Sequence, residues 1–138
     1  MKKIVNLVKN EFISWADNFL SLIPGKIGTV VRMILFRYRW GNINNVRVRM
    51  YSEFISPKNI FFKNNVSLGK YAFFSAQGGI IKIGNNFSCN LNCHINSSVG
   101  GAIIIGNNVL VSPNVVMRTA NHNYSDNNLD INKQGHLQ

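Results

Sequence analysis

Between Ile83 and His122 apolar residues lead one block of six after another. Ile83-Gly84-Asn85-Asn86-Phe87-Ser88 and Ile105-Gly106-Asn107-Asn108-Val109-Leu110 are two copies of one pattern, and each is followed by a further apolar-led block, at Cys89 and at Val111. An apolar residue at every sixth position with Gly or Asn beside it is the signature of a hexapeptide β-helix. One block makes one flat face of a triangular coil, and the leading apolar residue points inward. There it stacks on its equivalent in the next coil, roughly 4.8 Å away. The corner needs backbone with φ > 0, which Gly and Asn adopt at low cost.

Upstream, Phe62, Leu68 and Phe74 lead three further faces, so the coils run Phe62-Leu68-Phe74, Ile83-Cys89-Ile95 and Ile105-Val111-Met117. The leading positions repeat after 21 and then 22 residues, which a coil of eighteen with three or four extra corner residues accounts for. Ser75 to Gly79 and Asn96 to Gly101 are the loosened corners. Val46, Val48 and Met50 alternate with Arg47 and Arg49 as a strand. Before it the period changes. Ile4, Leu7, Val8, Phe12, Trp15, Phe19 and Leu22 share one helical face, and Pro24-Gly25 ends that helix. A second helix follows, with Ile27, Val30, Val31, Ile34, Leu35 and Tyr38 expected inward, and Arg32, Arg37 and Arg39 outward or snorkelling. The expected organisation is a basic helical segment over residues 1–44 and a parallel β-helix over 45–138.

Charge changes the picture at the N-terminus. Residues 1–50 hold nine basic side chains (Lys2, Lys3, Lys9, Lys26, Arg32, Arg37, Arg39, Arg47 and Arg49) against Glu11 and Asp17, so +7 of the net +10 lies there. Two compatible readings arise: a helical cap on the open end of the solenoid, and a basic amphipathic segment resting on an anionic membrane such as the inner membrane. Asp17, Asn18, Lys26 and Arg32 interrupt every window long enough to span a bilayer. No nucleic-acid motif accompanies the charge, so no nucleic acid is expected as partner. The N-terminal residues lack the unbroken apolar run of a secretory signal. Cys89 and Cys93, too close along one coil to staple anything, read as reduced thiols of a cytoplasmic protein. Strand alternation sends Cys93 and His94 to opposite faces, so with Cys89 they do not make the three or four converging ligands of a zinc site, and no metal is expected.

The two IGNN blocks, the coils around them and Thr119-Ala120-Asn121-His122-Asn123-Tyr124 resemble the left-handed β-helix (hexapeptide-repeat) acyltransferases. The likeness is in particular to maltose and galactoside O-acetyltransferases and to the O-acetyltransferases of capsule and O-antigen gene clusters. It covers about Val46 to Gln138. It implies a left-handed coil, acetyl-CoA as acyl donor, a sugar, nucleotide-sugar or polysaccharide acceptor, and a homotrimer with active sites between subunits. His122 stands where that family carries its catalytic histidine; by itself it is a loop histidine. Asn90, in Asn86-Phe87-Ser88-Cys89-Asn90-Leu91-Asn92, matches a segment whose asparagine contacts the acceptor or the developing oxyanion, and is otherwise a corner residue. Asp126 either orients the imidazole, binds a sugar hydroxyl, or is a solvated loop aspartate. Three departures bear on these expectations. Ser88 replaces an aromatic, and Ser97 and Ser98 replace acidic residues. The family's later coils, with an Ile-Gly-x-x-Val-Trp-Ile-Gly segment, do not follow the histidine loop. The expectation is therefore an O-acetyltransferase of surface-polysaccharide biosynthesis truncated in its C-terminal coils. The alternative is a non-catalytic β-helix serving assembly or a membrane surface.

Overall fold

The structure, a computed structural model, describes residues 2–41 and 43–137, the side chains of Lys2, Lys3, Asn6, Lys9 and Asn10 excepted. The charges of Lys2, Lys3 and Lys9 counted above thus lie outside the described set. Helices α1 (Lys2–Leu22) and α2 (Gly25–Trp40) precede a parallel β-solenoid of about three turns. Strands β1 (Val46–Val48), β2 (Glu53–Ile55) and β3 (Ile60–Phe62) form the first turn. The second is β4 (Val66–Leu68), β5 (Phe73–Ser75) and β6 (Ile80–Ile83), and the third β7 (Phe87–Cys89), β8 (His94–Asn96) and β9 (Ala102–Ile105). Strands β10 (Leu110–Val111) and β11 (Val116–Arg118) begin a fourth. Three sheets follow, one per face: β1-β4-β7-β10, β2-β5-β8-β11 and β3-β6-β9.

The register is the one the six-residue period demands. Phe62 pairs with Ile83 and Ile83 with Ile105; Leu68 pairs with Cys89 and Cys89 with Val111; Phe74 pairs with Ile95 and Ile95 with Met117. A second inward position on the first and third faces, filled by Val46, Val66 and Phe87 and by Ile60 and Ile81, doubles the apolar column there. Equivalent residues lie 20, 21 and 22 apart in successive turns. All the added length falls at the corner leaving the second face. That corner holds a 3-10 turn (Pro57–Asn59), then Ala76 to Gly79, then Ser97 to Gly101. The two loosened corners read from the sequence are thus real, and the first turn obeys the same rule.

At the other two corners the left-handed residues are asparagines and tyrosines. Asn45, Asn65, Asn86 and Asn108 occupy one, and Tyr51, Tyr71, Asn92 and Asn114 the other, all at φ between 53° and 61°. A non-glycine residue in this region costs of order 1 kcal/mol. Stacked side chains offset it. The Asn65 amide donates to Asn86 Oδ1 at 2.7 Å, Asn86 donates to Asn108 at 2.7 Å, and Asn92 donates to Asn114 at 3.0 Å. Tyr51 and Tyr71 stack instead, with ring centroids 4.8 Å apart and planes 8° from parallel. The glycine of the IGNN block has another purpose than expected, since Gly84 and Gly106 are not at positive φ. A Cβ on Gly84 would lie 2.5 Å from the Gly106 carbonyl oxygen of the turn above. Gly84 supplies space, and the asparagine two residues on supplies the turn.

Helix α2 covers the N-terminal end of the prism. Phe36 is buried against Phe54 and Phe62, and the Trp40 indole N–H donates to the Ile60 carbonyl at 2.7 Å. The face that docks differs from the one expected. Ile27, Val30, Ile34 and Tyr38 point outward, and Arg32 points inward. Arg32 is buried, and among the described residues no carboxylate forms a salt bridge with it. Its Nε donates to Val48 O at 2.9 Å, and NH1 donates to Ile23 O at 2.8 Å, Leu20 O at 3.2 Å and Ser21 O at 3.3 Å. The last carbonyls of α1 have no intrahelical partner and carry the negative end of the helix dipole. Arg32 satisfies them and ties α1 to β1 in one step, while Asp17 and Arg39 pair across the two helices. Gly28 is buried beneath this junction, where a Cβ would overlap Ile23 O at 1.9 Å.

Candidate functional site

The repeat ends at β11, and the chemistry-bearing residues gather where the chain leaves it. Thr119 pins the exit: its hydroxyl accepts from Ser98 N–H and donates to Ser98 O, both at 2.9 Å. The chain then forms β12 (Asn121–His122), which pairs antiparallel with β13 (His136–Leu137), placing Asn121 opposite Leu137 and His122 opposite His136. The two imidazoles are both exposed, with centroids 4.6 Å apart and planes 33° from parallel. On the side of this pair that carries Asn121 and Leu137, a cleft of about 390 Å³ is lined by Val116, Arg118, Thr119, Ala120, Asn121 and Leu137. Its floor is the edge of the last turn, and its polar groups are a guanidinium, a hydroxyl and a carboxamide.

His94 lies one strand below this edge, opposite Val116, while Asn96 lies opposite Arg118. The Phe73 ring meets its imidazole edge to face at 4.4 Å. Its Nε2 is buried with no hydrogen-bond partner among the described residues. Burial pushes its pKa below the ordinary imidazole value, and the nearby Arg118 charge pushes it further the same way. Its surroundings therefore favour the neutral ring, one strand below the edge of the last turn.

Of the residues singled out from sequence none lines this cleft, and His122 comes nearest to it in the chain, next to the lining residue Asn121. Asn90 is exposed at the corner leaving the first face, the width of the second face away, with its Oδ1 turned back onto the Leu91 N–H at 2.8 Å. Asp126 is in the loop between β12 and β13. Its Oδ1 accepts from Asn128 N–H at 2.8 Å, and its own backbone N–H and carbonyl bond the Gln134 side chain at 2.9 and 2.7 Å. Its carboxylate shapes that loop. His136 proves to be the neighbour of His122. No spacing could have announced this, because an antiparallel strand pair outside the repeat creates it. Among the described residues no three His, Cys, Asp or Glu converge as a metal site would require. Cys89 and Cys93 are buried inside the prism as free thiols, and burial pushes Cys89 up to about 12. Compared with family models, with curated proteins and with solved structures, the chain matches none.

Proposed function

We propose that the chain is an O-acetyltransferase of the left-handed hexapeptide-repeat kind, moving acetyl from acetyl-CoA to a sugar hydroxyl in the assembly of a surface polysaccharide. The observation that carries this reading is the exposed His122 imidazole, paired with His136 just beyond the last apolar-led block and one residue from the cleft-lining Asn121. In the reaction, His122 takes the proton of the acceptor hydroxyl as its oxygen attacks the thioester carbonyl. The tetrahedral intermediate collapses, the C–S bond breaks, and the imidazolium returns the proton to the departing thiolate. General base catalysis of this kind contributes roughly 10²–10⁴-fold. Arg118 and Asn121 line the cleft and carry donors suited to the developing oxyanion. At about 390 Å³ the cleft is near the lower end of ligand sites, which run from about 300 to 1,000 Å³. It suits the acetyl thioester and the acceptor hydroxyl, and the rest of the coenzyme would lie along a neighbouring subunit of the proposed trimer. Asn90, on a different corner, would then contact substrate from another subunit.

The test is thiol release from acetyl-CoA with a panel of sugar and nucleotide-sugar acceptors, using wild type, His122→Ala and His136→Ala. Acceptor-dependent release that falls roughly 10²–10⁴-fold in His122→Ala, with circular dichroism unchanged, supports the reading. His136→Ala, which removes the neighbour and leaves the base, is expected to retain more activity than His122→Ala. Release that persists in His122→Ala removes the assigned base. No release by folded wild-type protein leaves the non-catalytic β-helix as the better account.

A further inference from the structure

A surface helix of a globular protein ordinarily turns its apolar stripe to the core and its charges to water. Helix α1 turns its apolar stripe outward. Its strongest stripe, Ile4, Val8, Phe12, Trp15, Phe19 and Leu22, faces solvent, with Phe12, Trp15 and Phe19 exposed at 75%, 76% and 70%. Polar contacts tie it to the rest of the protein: Asp17 on Arg39, and the Leu20 and Ser21 carbonyls on Arg32. Helix α2 adds Ile27, Val30, Ile34 and Tyr38, the last 91% exposed. Scattered apolar side chains on a surface need no explanation, whereas two adjacent helices that both present full stripes mark an interaction site.

We infer that these outward stripes are a docking surface for an anionic lipid bilayer, on which α1 lies flat. Three observations choose this occupant. No helix among the described residues is long and apolar enough to cross a membrane, so the stripe can lie in the interface and not span it. The stripe combines Trp and Phe with aliphatic side chains, the mixture that partitions to the boundary between headgroups and acyl chains. The segment that bears it carries +7, with Lys26, Arg47 and Arg49 exposed. An anionic surface attracts that charge, whereas a second copy docked face to face would bring two such segments together and repel. The solenoid, anchored at one end through α2, then stands off the membrane.

The protein contains its own probes. Trp15 is on the stripe, and Trp40, the other tryptophan, is half-buried against Phe36, Phe54 and Phe62. The full chain is titrated with vesicles of phosphatidylcholine, with and without phosphatidylglycerol, and followed by tryptophan emission and co-sedimentation. The expected result is a blue shift with anionic vesicles, binding about tenfold or more above neutral ones, and loss of binding at high salt. Trp15→Phe removes the shift and keeps the co-sedimentation. Phe12→Ser with Phe19→Ser removes both while leaving the urea unfolding curve unchanged, because neither side chain is in the core. Equal binding to neutral vesicles, or no shift with either, overturns the inference. So does a blue shift without lipid that rises with protein concentration alongside a sedimenting dimer, since the occupant is then a second copy.

Discussion

The IGNN block occurs twice, and the two glycines give the stacking of coils an internal control. A Cβ on Gly84 would lie 2.5 Å from Gly106 O and 2.6 Å from Gly106 C, whereas a Cβ on Gly106 meets nothing within 4 Å. The obstacle to Gly84→Ala is backbone. The Gly84 N–H itself donates to Ile105 O at 2.9 Å, so the two turns cannot move apart without breaking the ladder. Overpacking typically costs about 1–3 kcal/mol, and an immovable carbonyl puts this case at the upper end, about 3 kcal/mol. Gly106→Ala meets no obstacle and has no positive φ. It should stabilise by about 0.4–1 kcal/mol by restricting the unfolded chain. The same substitution in the same motif is therefore expected to have opposite signs. Urea unfolding followed by far-ultraviolet circular dichroism measures both, provided the m-value is unchanged between variants. If both substitutions are neutral, the turns do not stack in this register. If both destabilise alike, another layer covers Gly106 in solution, and the reasoning from an open last turn fails.

Other outcomes follow from the buried polar groups. Arg32→Met removes the guanidinium from four carbonyls, of which Ser21 O keeps the Tyr51 N–H at 3.4 Å, and should cost about 3 kcal/mol; Arg32→Lys, unable to reach all four from one ammonium, should recover little of it in the same urea assay. For His94, the folded pKa is depressed, so folding favours the neutral ring. Its contribution to stability is complete above about pH 6.5, the unfolded value, and is lost as pH falls through the lower folded value. His94→Phe should flatten the fall in melting temperature across that window; an unchanged slope would assign it to other groups. Cys89 and Cys93, buried and with Cys89 pushed up to about 12, should resist a disulfide reagent in native protein and react on unfolding. Prompt modification at neutral pH would contradict the closed prism.

Much of the solenoid was legible because its rule is local. One inward residue per six fixes which side chains stack, and the intervals of 21 and 22 state the register of the second and third turns before any coordinate is known. The first turn was harder to see. It lacks an IGNN block, it turns a corner on Tyr51 in place of asparagine, and its extra residues include a 3-10 turn. The role of glycine was misassigned for a related reason. Spacing marks a position as special without saying whether the constraint is a dihedral angle or a missing volume, and only the stacked neighbour of Gly84 decides it. The helices expose a different limit. Helical periodicity shows that a stripe exists but not which stripe is covered, and α2 has two. The richer one, through Ile27, Val30, Ile34 and Tyr38, was expected inward. The aromatic one, through Phe36 and Trp40, docks, because Phe54 and Phe62 at the end of the prism accept rings and Arg32 finds its carbonyls on that side.

The site lies where the repeat stops, and this explains both its partial visibility and its location. Each corner of a solenoid looks like the corner beneath it, since Asn65, Asn86 and Asn108 sit in the same environment one layer apart. A catalytic group must have surroundings that no other residue shares, so a regular stack offers few places for one. His122 could be singled out only through the resemblance to hexapeptide-repeat acyltransferases, since by itself it is a loop histidine. Its partner could not, because His136 reaches it only through an antiparallel pair that closes over a loop held by Asp126 and Gln134. The break in periodicity is thus what creates the cleft. Arg118 is the last outward residue of the second face, Thr119 bonds back to the loosened corner at Ser98, and the chain then turns away to carry an imidazole past the edge of the prism.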